Sequence, residues 1–155
     1  MLYAAYGSNI NLEQMGYRCP NSKVVTVGHI SKWRLCFNIH ADIRKTNRVN
    51  DTVPVLLWDI ADEDWEKLDR YEGFPKYYVK EIVTVYWYDD DEQYHSEEAI
   101  VYVMADGYSK EYAFPKKDYF NIIQEGYYEN NISLEYLHQA IERTSRKMEY
   151  EYFYN

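Results

Sequence analysis

Two short stretches of the chain bring together residues able to hold an anion and move a proton. The first is Tyr6-Gly7-Ser8-Asn9, at the end of an apolar run that begins at Leu2. A strand running into Gly-Ser-Asn leaves several backbone N–H groups without a ladder partner, and glycine lets the main chain come close to a ligand. Such a loop forms a nest for a carboxylate or phosphate. The same tripeptide is common in tight turns, and on spacing alone an ordinary turn is the favoured reading. The second stretch is Leu68-Asp69-Arg70-Tyr71-Glu72-Gly73. Glu72 falls at the expected carboxyl end of a helix, where the dipole disfavours an anion. Partial burial among Tyr71, Phe74 and Tyr77 would raise its pKa further. A carboxylate tuned upward suits general acid–base work; a solvated glutamate at a helix end is the alternative that spacing leaves open.

Other constellations carry less. Asp89-Asp90-Asp91-Glu92 lacks the alternating ligands and glycine of a calcium loop and reads as a solvated hairpin turn. His29, His40, His95 and His138 show no metal-ligand spacing, and the chain contains no Walker loop or dinucleotide fingerprint. Neither Cys19 nor Cys36 has a base beside it in sequence, and no Gly-x-Ser-x-Gly elbow supports Ser8 as a nucleophile.

The elements that must position these residues follow from periodicity. Leu2 to Tyr6 reads as a buried strand, and Asn11 as the cap of a brief helix through Met15 that closes before Pro20. Val24 to His40 reads as two strands bent near Gly28 or Ser31, with Trp33, Leu35, Phe37 and Ile39 on one face. Residues 41–52 read as a polar loop. Val53 to Ile60 is the next strand, and Pro54 puts it at an edge or marks an early residue. Asp62 is expected to cap a helix carrying Glu63 and Asp64 in its first turn, with Trp65, Leu68 and Tyr71 at helical spacing and Gly73 as terminator. Tyr77–Tyr88 and Ala99–Met104 read as strands. Pro115 opens a helix through Tyr119, Ile122 and Ile123, and Ser133 caps a last one striped by Leu134, Leu137 and Ile141. The 148–155 end, aromatic and acidic, fits a strand, a helix end or a frayed tail. This order gives an α+β fold with mostly antiparallel pairing, a small closed or nearly closed β-barrel flanked by helices.

Composition bounds the function. The chain of 155 residues is one domain's worth of sequence. Leu, Ile, Val and Phe make up about 23% of it, above the region of disorder. The core must lean on 19 tyrosines and 4 tryptophans, whose polar tips need partners when buried. A formal net charge of −9 argues against nucleic acid as the main partner and against anionic lipid. No run of ~18 apolar residues could span a membrane. The amino terminus has no basic stretch and long apolar core of a secretion signal, so a cytoplasmic protein with two free thiols is expected. The sequons at Asn50 and Asn131 are then accidental.

Read together, these segments resemble the gamma-glutamylcyclotransferase-like family, in a bacterial form. The resemblance runs through Tyr6-Gly7-Ser8-Asn9, Met15, Arg18 and Pro20; Gly28 with Trp33-Arg34-Leu35 and Phe37; Val55-Leu56-Leu57-Trp58; Leu68-Asp69-x-x-Glu72-Gly73 with Tyr78; Ala99-Ile100-Val101-Tyr102; and Tyr119 to Ile123 with Gly126. It covers nearly the whole chain in family order, as one domain over residues 1–155. Two departures, Pro54 and the glycine-free stretch Arg44 to Thr52, concern the pocket rim. The resemblance implies a β-barrel flanked by helices and a small-molecule gamma-glutamyl substrate that loses its amine as 5-oxoproline forms. It implies no metal or organic cofactor, and a monomer or homodimer. It also implies that Tyr6, Gly7, Ser8 and Asn9 bind the substrate α-carboxylate, that Glu72 is the catalytic glutamate, and that Tyr78, Tyr102 and Tyr119 line the pocket. Their hydroxyls are expected to hydrogen-bond Glu72 and the glutamyl group. A binding protein that keeps the pocket, or an enzyme removing a gamma-glutamyl protecting group, would share these features.

Overall fold

A computed structural model describes residues 1–106 and 111–154. Its frame is a closed five-stranded barrel. β1 (Leu2–Ala5) is flanked by β5 (Thr52–Asp59), followed by β2 (Lys23–Ser31), β6 (Tyr78–Tyr88) and β7 (Tyr94–Met104). All neighbours are antiparallel except β7 and β1, which close the barrel in parallel through Tyr3 and Ile100. This is the mostly antiparallel barrel expected from the sequence. Apolar side chains on both faces of β1 and β5 are covered, inside the barrel and under the flanking elements: Ala4, Ala5, Val53, Val55, Leu56 and Leu57 are fully buried. Pro54 sits opposite His29 of β2, ahead of the stretch Leu56–Asp59 that pairs with β1. β5 lies between two strands, yet the proline falls where only one of them flanks it.

The segment read as a loop begins instead with β4 (His40–Lys45), which pairs with β3 (Trp33–Asn38) as a separate two-stranded ribbon. Period two fails here because Ala41, Asp42 and Ile43 are buried in succession. Buried Asp42 accepts the Met104 N–H at 3.0 Å and pairs with Arg44 at 3.4 Å. Ile39 does not continue the apolar face of β3. It turns the ribbon at φ 63° and is exposed. Val25 also faces solvent, beside a register shift between Val24 and Thr26.

Four helices flank the sheets. α1 (Leu12–Arg18) is capped by Asn11 as expected, its side chain accepting from the Gln14 N–H. α2 (Asp62–Glu72) starts one residue differently: Ala61 is the cap residue, without a side-chain bond, and Asp62 is already helical. Asp64 is not a solvated first-turn charge. It is fully buried, accepting from the Asn21 N–H and the Ser22 hydroxyl at 3.0 Å each. α3 (Lys117–Glu129) follows Pro115. Ser133 accepts from the Glu135 N–H at the start of α4 (Glu135–Tyr154), which carries the chain end as helix; Asn155 lies outside the described residues. Among the described residues no helix is long and apolar enough to cross a membrane.

Candidate active site

After Ala5 the chain leaves β1 and enters a single 3-10 turn, Ser8–Ile10, whose only repeated bonds are Ile10 N–H to Gly7 O and Asn11 N–H to Ser8 O. The first N–H groups of a helical turn have no partner within it, so those at Gly7 to Asn9 are left for other acceptors. A Cβ on Gly7 would lie 3.2 Å from the Ala41 Cβ and 3.6 Å from the Tyr119 oxygen, so the main chain passes close to both β4 and α3. Indole Trp58 fixes the turn from beneath by donating to Asn9 O at 3.1 Å.

Glu72 is the last residue of α2. Gly73 ends the helix in the left-handed conformation at φ 66°, and N–H groups of Gly73 and Phe74 return to Arg70 O and Asp69 O. These bonds close the helix end and fix the direction in which Glu72 leaves it. The carboxylate accepts from Asn9 Nδ2 at 3.2 Å, which joins the two sequence stretches directly. Burial pushes the Glu72 carboxyl up to about 7, against a smaller downward pull from Arg18. The direction matches the sequence reading; the cause is loss of solvation.

All eight residues singled out in the sequence, Tyr6, Gly7, Ser8, Asn9, Glu72, Tyr78, Tyr102 and Tyr119, line one cavity of about 440 Å³. The bonds of the tyrosines differ from expectation. Tyr78 donates to Ala41 O at 2.8 Å, and Tyr119 accepts from the Ala41 N–H at 2.9 Å. Tyr102 donates to Asp69, and Tyr6 donates to Tyr102 O at 2.6 Å. None of the three pocket hydroxyls singled out is bonded to Glu72. They brace β4, β7 and α2 instead, and Tyr119 alone keeps its own proton available to a ligand.

Several site residues had no such role in the sequence reading. Arg18, at the end of α1, donates to Ser8 Oγ at 3.2 Å, to Asn9 Oδ1 and to Gln14 Oε1 at 2.8 Å, and lies 3.5 Å over the Tyr71 ring. Asn9 is thereby held at its oxygen by Arg18 while its nitrogen serves Glu72 and the Tyr3 hydroxyl. Asp69 takes Tyr102 and Lys80, the latter at 2.9 Å. Arg18 was legible only as a family match; one cation in the last turn of a short helix is a weak signal. Among the described residues, no cluster of three or more His, Cys, Asp or Glu side chains could hold a metal ion.

The pocket can be set beside known proteins. The family described as gamma-glutamyl cyclotransferase, AIG2-like, matches residues 3–129. The chain belongs to that family. Comparison with curated proteins finds no match. Among solved structures, a gamma-glutamyl cyclotransferase is 25% identical and superposes with a TM-score of 0.75, over 90% of this chain and 85% of that one. An uncharacterized human protein, loc79017, is 26% identical with a TM-score of 0.72 over the same shares, 90% and 85%. YkqA from Bacillus subtilis, 16% identical, has the same fold with a TM-score of 0.70 over 94% of this chain and 54% of its own. Membership of the gamma-glutamyl cyclotransferase, AIG2-like family agrees with the resemblance read from the motifs and with the barrel.

Proposed function

We propose that the protein is a cyclotransferase that releases 5-oxoproline and a free amine from a gamma-glutamyl amine or dipeptide. The observation that carries this is the Asn9 bridge between Glu72, with its carboxyl raised to about 7, and the turn bearing the free amides, inside one pocket. The turn's N–H groups at Gly7, Ser8 and Asn9 take the substrate α-carboxylate. That anchors the amino end and lets the γ-carbonyl fold back toward the α-nitrogen. Ring closure is intramolecular, so holding the substrate in attack geometry supplies much of the rate.

Proton movement is the remaining task. The α-ammonium loses two protons in all as it becomes the lactam N–H, and the departing nitrogen gains two as it leaves as an ammonium. Glu72 takes a proton from the α-nitrogen, the nitrogen attacks the γ-carbon, the former amide C–N bond breaks, and Glu72 returns protons to the leaving nitrogen. A carboxyl whose pKa lies near neutrality can do both. The test is a panel of gamma-glutamyl amines and dipeptides assayed for 5-oxoproline. Release from at least one supports the proposal; binding of several without release would favour a binding protein.

Two variants probe the binding roles. Gly7→Val puts a branched side chain between the turn, Ala41 and Tyr119, and should raise KM about tenfold with Glu72 still in place. An unchanged KM would put the carboxylate elsewhere. Tyr78→Phe and Tyr119→Phe each leave one Ala41 backbone group unpaired, so each should lower stability by about 1 kcal/mol. Only Tyr119→Phe also removes a proton that faces the ligand, and only it should lower kcat/KM, by about 5- to 10-fold. Equal kinetic losses in the two variants would argue against that division.

A further inference from the structure

A second, smaller cavity of about 80 Å³ lies where β3, the start of β5 and α4 meet, with two guanidinium groups in its wall. Arg34 of β3 has a counterion, its Nε standing 3.1 Å from Asp51 Oδ2. Arg143 of α4 has no ion pair among the described residues. One of its terminal nitrogens donates to Leu35 O at 2.8 Å, while Nε is sealed from solvent with no hydrogen-bond partner, as is Asp51 Oδ2 in the same wall despite its ion pair with Arg34. Burial and the nearby charge of Arg34 hold the Arg143 guanidinium below its ordinary pKa. A half-buried cation with an orphaned donor is costly unless an acceptor meets it. The side chains of Asn50, Thr52 and Gln139 add polar groups around the same space.

We propose that this cavity is a binding site for a small oxyanion, a phosphate, sulfate or carboxylate group, held by Arg143 and Arg34. Asp51 neutralises one guanidinium, so the pair retains one positive charge in a chain whose net charge is −9. The planar fork of arginine matches such oxygens. The volume takes about two or three waters or one tetrahedral anion, which excludes nucleotides and peptides.

Inorganic sulfate and acetate are the probes, each compared with sodium chloride at equal ionic strength. Sulfate in excess over its Kd should raise the wild-type Tm by about 3 °C. Arg143→Met and Arg34→Met should each lose most of that gain, while Arg146→Met, one turn along α4, keeps it. In the 15N spectrum, the Arg143 Nε–Hε signal, assigned by its loss in Arg143→Lys, should shift and saturate on titration. A parallel response to acetate marks carboxylates as ligands too; a response to sulfate alone restricts the site to tetrahedral anions. The proposal is overturned if the Arg143 signal stays still in both titrations, or if all three methionine variants keep the full gain. The signal reads the wild-type chain, so a poorly folding Arg143→Met does not block the test, and it separates this site from anions bound at Gly7–Asn9.

Discussion

Glu72→Gln should lower turnover by about 10²-fold or more while the barrel stays folded. The substitution keeps the side chain's shape and its contact with Asn9 but removes the proton shuttle. The pH dependence gives a second signature. Glu72 must be charged to accept the first proton, so kcat/KM should rise as pH passes about 7, the value to which burial lifts this carboxyl. Any residual activity of Glu72→Gln should lack that limb. Stability should move the other way. The folded-state pKa lies above the ordinary 4.5, so the group's contribution is fully present below pH 4.5 and is lost as pH rises through 7. Above pH 8 the wild type carries a poorly solvated charge, and Glu72→Gln should unfold at higher denaturant, by about 1–3 kcal/mol. Near-wild-type turnover in the variant would remove Glu72 from the mechanism.

Gly126→Ala should be strongly destabilising for the addition of a single methyl. A Cβ there would stand 2.7 Å from the Asn11 nitrogen and 2.9 Å from the Ile10 carbonyl carbon, both backbone atoms with no freedom to swing aside. Around that contact, Asn11 donates to Ile122 O and Asn130 donates to Ile10 O, each at 3.0 Å. These bonds dock α3 onto the turn that follows Gly7-Ser8-Asn9. A methyl group must push helix and turn apart, at a cost of about 2–3 kcal/mol, read as a Tm lower by about 4–12 °C. Separating them also displaces Tyr119 on α3 from the Gly7 turn, so kcat/KM should fall in the folded fraction. A variant with wild-type Tm would mean that α3 shifts along its axis at no cost.

Much of this architecture was legible because the strongest signals are local. The apolar run into Gly7, the Leu68–Gly73 helix end and the alternation within β6 each follow from nearest neighbours in sequence. What escaped depends on distant partners. β4 was unreadable because Asp42, a charged residue in a strand, is satisfied by the Met104 N–H more than sixty residues away. Asp64 looked like a dipole-stabilising surface charge because Asn21 and Ser22, whose N–H and hydroxyl satisfy it, precede it by more than forty positions. The pocket membership of Tyr78, Tyr102 and Tyr119 was readable, but their bonding was not. Ala41 takes two of the hydroxyls because a side chain so small leaves its backbone reachable, and composition does not report backbone partners.

The β3–β4 ribbon has a consequence for how far the pocket can be remodelled. A free two-stranded ribbon exposes a row of unpaired main-chain groups on each side, a template for growth by strand addition. On the outer side of β3, Ala113 bonds to the main chain of Phe37 and Ile39 at 3.1 Å. On the outer side of β4, the phenols of Tyr78 and Tyr119 occupy both main-chain groups of Ala41. The walls of the pocket thus also satisfy the main chain of the ribbon's edge at Ala41. Evolving the pocket toward a bulkier ligand by trimming these two tyrosines would leave both main-chain groups of Ala41 without their phenol partners, so each enlargement of the pocket would draw on the stability of the ribbon.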